Sequence, residues 1–349
     1  MAKIITLADI AKKMNVSTVT VSKALSGKKG VSEALRAEIV EMAEEMGYVR
    51  KKDTPEFKKR KSYNIGVITA ERYLKEKQSF YWQLYQDISQ TGLKRNCFAI
   101  LEVVTPWAEK EAELPVLITE RKVNGLVVMG TFHREYIERL SASVSVPLVF
   151  LDTTVGVIGG DFVVSDNLMG GYRMTNYLFQ MGHRNIAFVG TRLATPSIDD
   201  RFLGYLKSLM EHGVPWKKQW FIDDRDEETG EINYHKKLVL PKEMPTAFFC
   251  NCDLTADLFI GKLEAAGYQV PKDISVTGFD NYSNGQSAKI GITTIEINTK
   301  EMAKRTIHIL MNKIGHLKYS TGTFTLSGRL VERGSVKRIG AAVPVIQKI

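Results

Sequence analysis

The sequence predicts an α/β protein: a small all-α unit at the N-terminus, then a two-lobed domain built on parallel sheets. Three observations carry this. Capped helical stripes fill residues 1–49 with no strand-like run between them. From residue 64 on, short β-branched runs alternate with helical stretches, the pattern of parallel sheets covered on both faces. And in this chain of 349 residues, 44% apolar and 25% charged, the roughly 280 residues after the N-terminal unit are long for one doubly wound sheet, so the large domain divides into two lobes.

The first helix opens at Thr6, an N-cap with Asp9 in its first turn, and Leu7, Ile10, Ala11 and Met14 form its apolar stripe. Asn15-Val16 turns the chain. Ser17 caps a second helix through Leu25, ended by Ser26-Gly27. Ser32 caps a third, with Leu35, Ile39, Met42, Ala43 and Met46 on one face and Gly47 as its stop. Three short helices with a tight turn between the first two form a helix-turn-helix unit. The second helix carries hydroxyls at Ser17, Thr18, Thr20 and Ser22, a methyl surface at Val19 and one cation, Lys23, with no carboxylate. Such a face enters a major groove without electrostatic penalty. Hydroxyls reach phosphates or base edges, Val19 meets thymine methyls, and Lys23 reaches guanine or phosphate. Charge agrees. Residues 1–62 hold 14 Lys/Arg and 8 Asp/Glu, a net of +6, and the other 287 residues supply only the remaining +3. A polyanion is the partner this distribution suggests.

The run Thr6-Leu7-Ala8-Asp9-Ile10-Ala11, then Val16-Ser17-Thr18-Val19-Thr20-Val21-Ser22-Lys23-Ala24-Leu25, resembles the headpiece of the lactose/galactose repressor family. Val31-Ser32 and Met46-Gly47-Tyr48 fall at that family's spacing. The resemblance implies that Thr18, Val19 and Lys23 read the operator, with Thr6, Arg36 and Tyr48 in the same DNA-binding set. One departure is Leu35-Arg36 where the family often has Thr-Arg; the Thr hydroxyl is lost and Arg36 is left to hold a phosphate. Residues 50–62, which contain RKKDTPEFKKRK, form the hinge. The resemblance puts a short minor-groove helix there, with Phe57 as the wedge. Lys52-Asp53-Thr54-Pro55 replaces the usual small polar run, so only a truncated helix fits.

In the large domain, 63–349, the expected strands are Asn64–Thr69, Cys97–Val103, Gly125–Met129, Pro147–Leu151, Ile186–Val189, Ala247–Cys250 and Ile274–Phe279. Helical patterns lie near residues 81–94, 107–121, 168–181, 199–212, 254–266 and 299–314. Ligands of such sheets sit beyond the carboxyl ends of the strands. That rule selects Thr69 and Glu71, Asp152, Asn251 and Asp253, and Asp280-Asn281, with Asp253 read as a helix cap. These are polar groups suited to a neutral polyhydroxylated ligand. The resemblance extends through Asp166-Asn167, Gly170-Gly171, residues 181–186, Arg201-Phe202-Leu203-Gly204-Tyr205, and Val270-Pro271-Lys272-Asp273-Ile274-Ser275-Val276 with Gly278-Phe279-Asp280. It covers about residues 4–336 and implies a periplasmic-binding-protein-like domain. Its N-lobe would be about 63–163 and 293–323, its C-lobe about 164–292 and 324–340. It further implies that Arg201 and Asp280 hold adjacent sugar hydroxyls, that Asn251 completes the network, and that Phe80 and Tyr81 cover the ligand. Another departure lies between Phe221 and Ala247, where the family usually has another full helix: here Asp223–Glu231 is acidic and polar, and the stretch through Pro241 lacks a helical stripe.

Rival classes lack their signatures. There is no G-x-G-x-x-G, P-loop lysine motif, G-x-S-x-G or metal-ligand cluster, so no enzyme, cofactor or metal is expected. The six His are scattered, with His183 read as a helix-terminal cap. The three Cys fit a reducing compartment. The start MAKIITLADIAKK does not read as a signal peptide, which argues against a transport solute-binding protein, and no apolar run spans a membrane. The tail after Arg338 has no heptads. The expectation is a cytoplasmic homodimer on double-stranded, pseudopalindromic operator DNA. A small effector, a sugar by the resemblance with a purine or other metabolite as the alternative, shifts DNA affinity by closing the lobes.

Overall fold

A computed structural model describes residues 5–46, 48, 61–75, 79–156, 159–226, 229–233, 235–282 and 290–346. Contacts divide the chain into two units, Met1–Ser62 and Tyr63–Ile349.

The first unit holds α1 (Leu7–Met14), α2 (Thr18–Leu25) and α3 (Glu33–Glu45). Thr6 and Asp9 form a reciprocal capping box: the Thr6 hydroxyl accepts from the Asp9 amide at 3.3 Å, and the Asp9 carboxylate accepts from the Thr6 amide at 2.8 Å. Asn15 ends α1 in the left-handed region, at φ 51°, where a short polar side chain is tolerated. Ser17 and Ser32 cap α2 and α3 as expected. Met46 is the C-cap of α3; Gly47, the expected stop, lies outside the described residues. Ile10, Ala11, Val21, Ala24, Ile39 and Ala43 close a small core. The expected hinge helix and Phe57 also lie outside the described residues.

The second unit begins with β1 (Tyr63–Ala70), α4 (Phe80–Leu93), β2 (Cys97–Val104), α5 (Pro106–Lys110), α6 (Val116–Thr119), β3 (Gly125–Met129), α7 (Arg134–Ser143), β4 (Leu148–Leu151) and β5 (Phe162–Ser165). The single helix expected over 107–121 is two. Ala112, at φ 51°, breaks the first, and Pro115 starts the second. The chain then crosses to a second lobe: α8 (Asn167–Gln180), β6 (Ile186–Val189), α9 (Pro196–Glu211), β7 (Phe221–Ile222), β8 (Ala247–Cys250), α10 (Asp253–Ala265) and β9 (Ser275–Thr277). It returns through β10 (Thr294–Glu296), α11 (Thr299–Ile314) and β11 (Thr323–Leu326), and crosses again at β12 (Arg329–Val331).

Two parallel sheets result. The first has the order β11-β5-β4-β3-β1-β2 and the second β7-β6-β8-β9. Strand β11 pairs with β5, so residues 323–326 belong to the first sheet and the return to the second lobe falls later than the expected break at 323/324. β10 and β12 pair antiparallel. Buried Val127, Val149, Leu84 and Ile307 share the core under one face of the first sheet; Leu126, Val128, Phe132 and Tyr136 fill the other. In the second lobe α8 and α9 meet through glycines. A Cβ on Gly204 would lie 2.1 Å from the Leu168 carbonyl oxygen, and one on Gly171 would lie 2.3 Å from that of Arg201. This close approach fixes where Arg201 emerges. Among the described residues no helix is long and apolar enough to cross a membrane, and none of their His, Cys, Asp and Glu side chains cluster as a metal site.

Candidate functional site

A cavity of about 510 Å³ opens between the lobes at the carboxyl ends of both sheets. Phe80, Tyr81 and Asp152 line it from the first lobe, and Arg201, Asn251 and Asp280 from the second. Thr69, the seventh residue expected there, is not among the lining residues. Strand β1 runs one residue further, to Ala70, and Thr69 stays fully buried in the lobe, its hydroxyl without a partner. Tyr73, from the short turn that follows, lines the cavity instead.

Arg201 is buried and held at two points. Its Nε donates to Asn167 Oδ1 at 2.9 Å and one terminal nitrogen to the Asn251 carbonyl at 2.6 Å. Its guanidinium lies 3.9 Å from the Phe279 ring centroid. Its other terminal nitrogen has no partner among the described residues and is free for a ligand in the cavity that Arg201 lines. Asp280, at φ 89°, accepts the Tyr282 amide on Oδ1 at 2.9 Å. Asp152, at φ 58°, accepts the Tyr81 hydroxyl on Oδ2 at 2.9 Å, while its Oδ1 is buried without a partner. Both carboxylates thus sit on left-handed backbone, a strain that clusters at ligand sites. Burial raises Asp152 to a pKa of about 6, against the pull of Arg201 and the Tyr81 hydrogen bond. Burial likewise raises Asp280 to about 7, with Arg201 opposing.

Asn251 lines the cavity with its side chain already engaged. Its amide nitrogen donates to Asp224 Oδ2 at 2.6 Å and the Val189 carbonyl at 3.1 Å, and its Oδ1 accepts from Arg225 at 3.2 Å. The side chain braces the cavity wall, and its backbone holds Arg201. Two expected caps also move. Cys252, not Asp253, caps α10, because its sulfur is the atom placed to accept the Thr255 amide, at 3.4 Å. His183 is a tie rather than a cap: its ring sits 2.9 Å from the Thr246 hydroxyl and 3.2 Å from the Lys337 carbonyl, and burial lowers its pKa to about 4.

In the helical unit, Thr18, Val19, Ser22 and Lys23 are exposed together on α2, and Val19 is 60% exposed. The hydroxyls of Thr6, Ser17 and Thr20 are engaged in capping. Tyr48 packs on the unit's core. Arg36, expected to hold a phosphate, is tied within the unit. Its guanidinium donates to the carbonyls of Ala24, in the last turn of α2, and Lys28, just beyond it, both at 2.9 Å.

Residues 6–51 match the family model of bacterial regulatory proteins, lacI family, and residues 175–336 match a periplasmic binding protein-like domain. The chain belongs to the lacI family. Among its relatives, the "HTH-type transcriptional repressor PurR" of Yersinia pestis bv. Antiqua is 27% identical over 339 residues, 95% of this chain and 96% of that protein. The protein of the same name in Aliivibrio salmonicida is 24% identical over 335 residues, 96% and 99% of the two chains. Among solved structures, a transcriptional regulator CelR–cellobiose complex superimposes with a TM-score of 0.69 at 21% identity, over 95% of this chain and 99% of that one. The lac repressor dimer bound to operator and the anti-inducer ONPF gives 0.65 at 20% identity, over 96% and 100%. These structures share the fold.

This lacI-family chain is a DNA-binding transcriptional regulator, and its second lobe carries a local feature the sequence reading passed over. After β7 the described residues 223–226 and 229–233 form a short strap, closed by an antiparallel bridge between Arg225 and Ile232 and by the Asp226 amide on the Glu231 carbonyl at 2.8 Å. The strap brings Arg225 and Glu231 to the cavity. Glu231 pairs with Lys75 of the first lobe, so the strap bridges the lobes. Arg72, Lys75, Arg225, Glu231 and Tyr282 are cavity residues that sequence reasoning missed. A strand of two residues gave too little signal for the carboxyl-end rule to reach Arg225.

Proposed function

We propose that this regulator is a repressor whose affinity for operator DNA is set by a neutral, hydroxyl-rich effector, a sugar, bound between the lobes by Arg201, Asp280 and Asp152. The unpartnered buried Oδ1 of Asp152 carries this reading. A buried carboxylate oxygen calls for a hydrogen-bond donor. A hydroxyl supplies one, and a vicinal diol also accepts from the free nitrogen of Arg201. Phe80 and Tyr81 offer apolar faces to a pyranose from the first lobe.

The protein acts as a cytoplasmic homodimer. Two helical units on a two-fold axis place Thr18, Val19, Ser22 and Lys23 in successive major grooves of a pseudopalindromic site. Phe57 of each hinge enters the minor groove between them. Lobe closure on the effector changes the spacing of the two hinges and with it the DNA affinity.

A purine is the second reading, favoured by the relatives named PurR. Thermal shift of the full chain separates the two, because a ligand that binds only the folded state raises its melting temperature. Neutral sugars raise it on the first reading, and purines alone raise it on the second. The shift is lost in Arg201→Ala if the cavity is the site.

A further inference from the structure

The cavity has a second polar face beside the Arg201 site, and Asn251 stands between the two. Its carbonyl accepts from Arg201 at 2.6 Å, and its side-chain oxygen accepts from Arg225 at 3.2 Å. Arg225 is left with a buried Nε that has no hydrogen-bond partner and a terminal nitrogen with none among the described residues. It is not needed to satisfy Asp224. That carboxylate already accepts from the Thr191 amide at 2.9 Å, Asn251 at 2.6 Å and the Thr255 hydroxyl at 2.8 Å, and the Arg225 Nε stands off at 3.4 Å. Buried donors without acceptors are rare unless a ligand supplies the acceptor. Asp257, also lining the cavity, has a buried carboxylate oxygen without a partner, the complementary call for a donor.

Charge decides what kind of group fits there. The cations around the strap each face a carboxylate already: Arg225 with Asp224, Lys75 with Glu231, and Arg72 with Glu109 at 2.5 Å. No excess positive charge remains to draw a phosphate or carboxylate. Unpaired donor and acceptor atoms of residues that line one cavity, with the neighbouring cations already matched by carboxylates, suit hydroxyls. The cavity, about 510 Å³, is roomier than one pyranose ring requires.

We propose that Arg225, presented by the strap, forms a second sugar subsite, so that the effector is a neutral disaccharide or longer oligosaccharide rather than a single ring. This rests on the sugar reading of the Arg201 site. Arg201 and Asp280 hold one ring, and Arg225 donates to oxygens of the next, with Asp257 accepting.

The test is binding of glucose, galactose, mannose, xylose, cellobiose, maltose, lactose, sucrose, glucose 6-phosphate and hypoxanthine to the full chain and its variants, by titration calorimetry. The expected result is one neutral disaccharide that binds at least about ten-fold more tightly than either of its monosaccharides. Arg225→Ala then weakens the disaccharide by about ten-fold but the monosaccharide by less than about two-fold, and Arg225→Lys, which keeps the charge without the fork, falls between. Arg201→Ala removes both ligands. Equal affinity for the single ring and the disaccharide overturns the second subsite, as does an equal loss for both in Arg225→Ala, while leaving the sugar reading in place. Binding of glucose 6-phosphate or hypoxanthine alone, or of no probe, overturns the sugar reading itself.

Discussion

Tyr81 donates its hydroxyl hydrogen to Oδ2 of Asp152 at 2.9 Å, and this one bond leaves Oδ1 of the same carboxylate buried and unpartnered. The bond aims the carboxylate and favours its ionised form. Tyr81→Phe is expected to weaken effector binding by about ten-fold, since a hydrogen bond to a charged group contributes about 1.5–3 kcal/mol. It also moves the Asp152 titration upward from about 6. Effector titrations of both proteins across pH check this; an unchanged midpoint of the pH profile would separate Tyr81 from the site.

The two raised carboxylates set opposite pH trends for the empty and the liganded protein. Asp152 and Asp280, at about 6 and about 7, bind protons more tightly folded than unfolded. Their stabilising contribution to the empty protein is full below the unfolded pKa near 4 and is lost as pH rises through about 6 and 7. A ligand that donates to them needs the ionised forms, so effector affinity rises over the same window. Melting temperatures with and without effector between pH 5.5 and 8 read both trends, with Asp152→Asn plus Asp280→Asn expected to flatten the decline of the empty protein.

Arg36 braces the helical unit. Arg36→Ala removes its bonds to the Ala24 and Lys28 carbonyls and is expected to destabilise that unit by about 2 kcal/mol. Denaturation followed by a probe in the helical unit measures it. Loss of DNA affinity with stability intact would return Arg36 to the phosphate-contact role.

Gly171 and Gly204 let α8 and α9 touch, and both clashes fall on backbone. Gly204→Ala is expected to destabilise the protein by about 1–3 kcal/mol and to weaken effector binding through displacement of Arg201. Gly261→Ala, on α10 with open space around its Cβ position, serves as the contrast and leaves both nearly unchanged.

The core strands were legible because burial on both faces writes itself as an unbroken apolar run. Gly125–Met129, Ile186–Val189 and Ala247–Cys250 stand where the sequence placed them. Strands β11 and β12 were not legible: each is short and alternates or drifts toward exposure, so neither periodicity nor apolar content marks it. The helical unit was legible to its caps, since Thr6, Ser17 and Ser32 act through local chemistry. Asp152, Arg201 and Asp280 were found from strand ends and family resemblance. Arg225 was not, because a polar, acidic stretch reads as solvent-facing until the fold turns it back onto a cavity.

The central claim is that a ligand held by Arg201 controls DNA binding. The most direct measurement is fluorescence anisotropy of the full chain on a duplex selected by the protein from a random library, titrated with and without the carbohydrates above. The selected duplex is expected to carry two inverted half-sites, and one neutral carbohydrate to change its affinity by at least about ten-fold, through a coupling free energy that Arg201→Ala abolishes while the affinity without carbohydrate stays intact. A response that persists undiminished in Arg201→Ala, or a duplex affinity that no carbohydrate alters, would contradict the account.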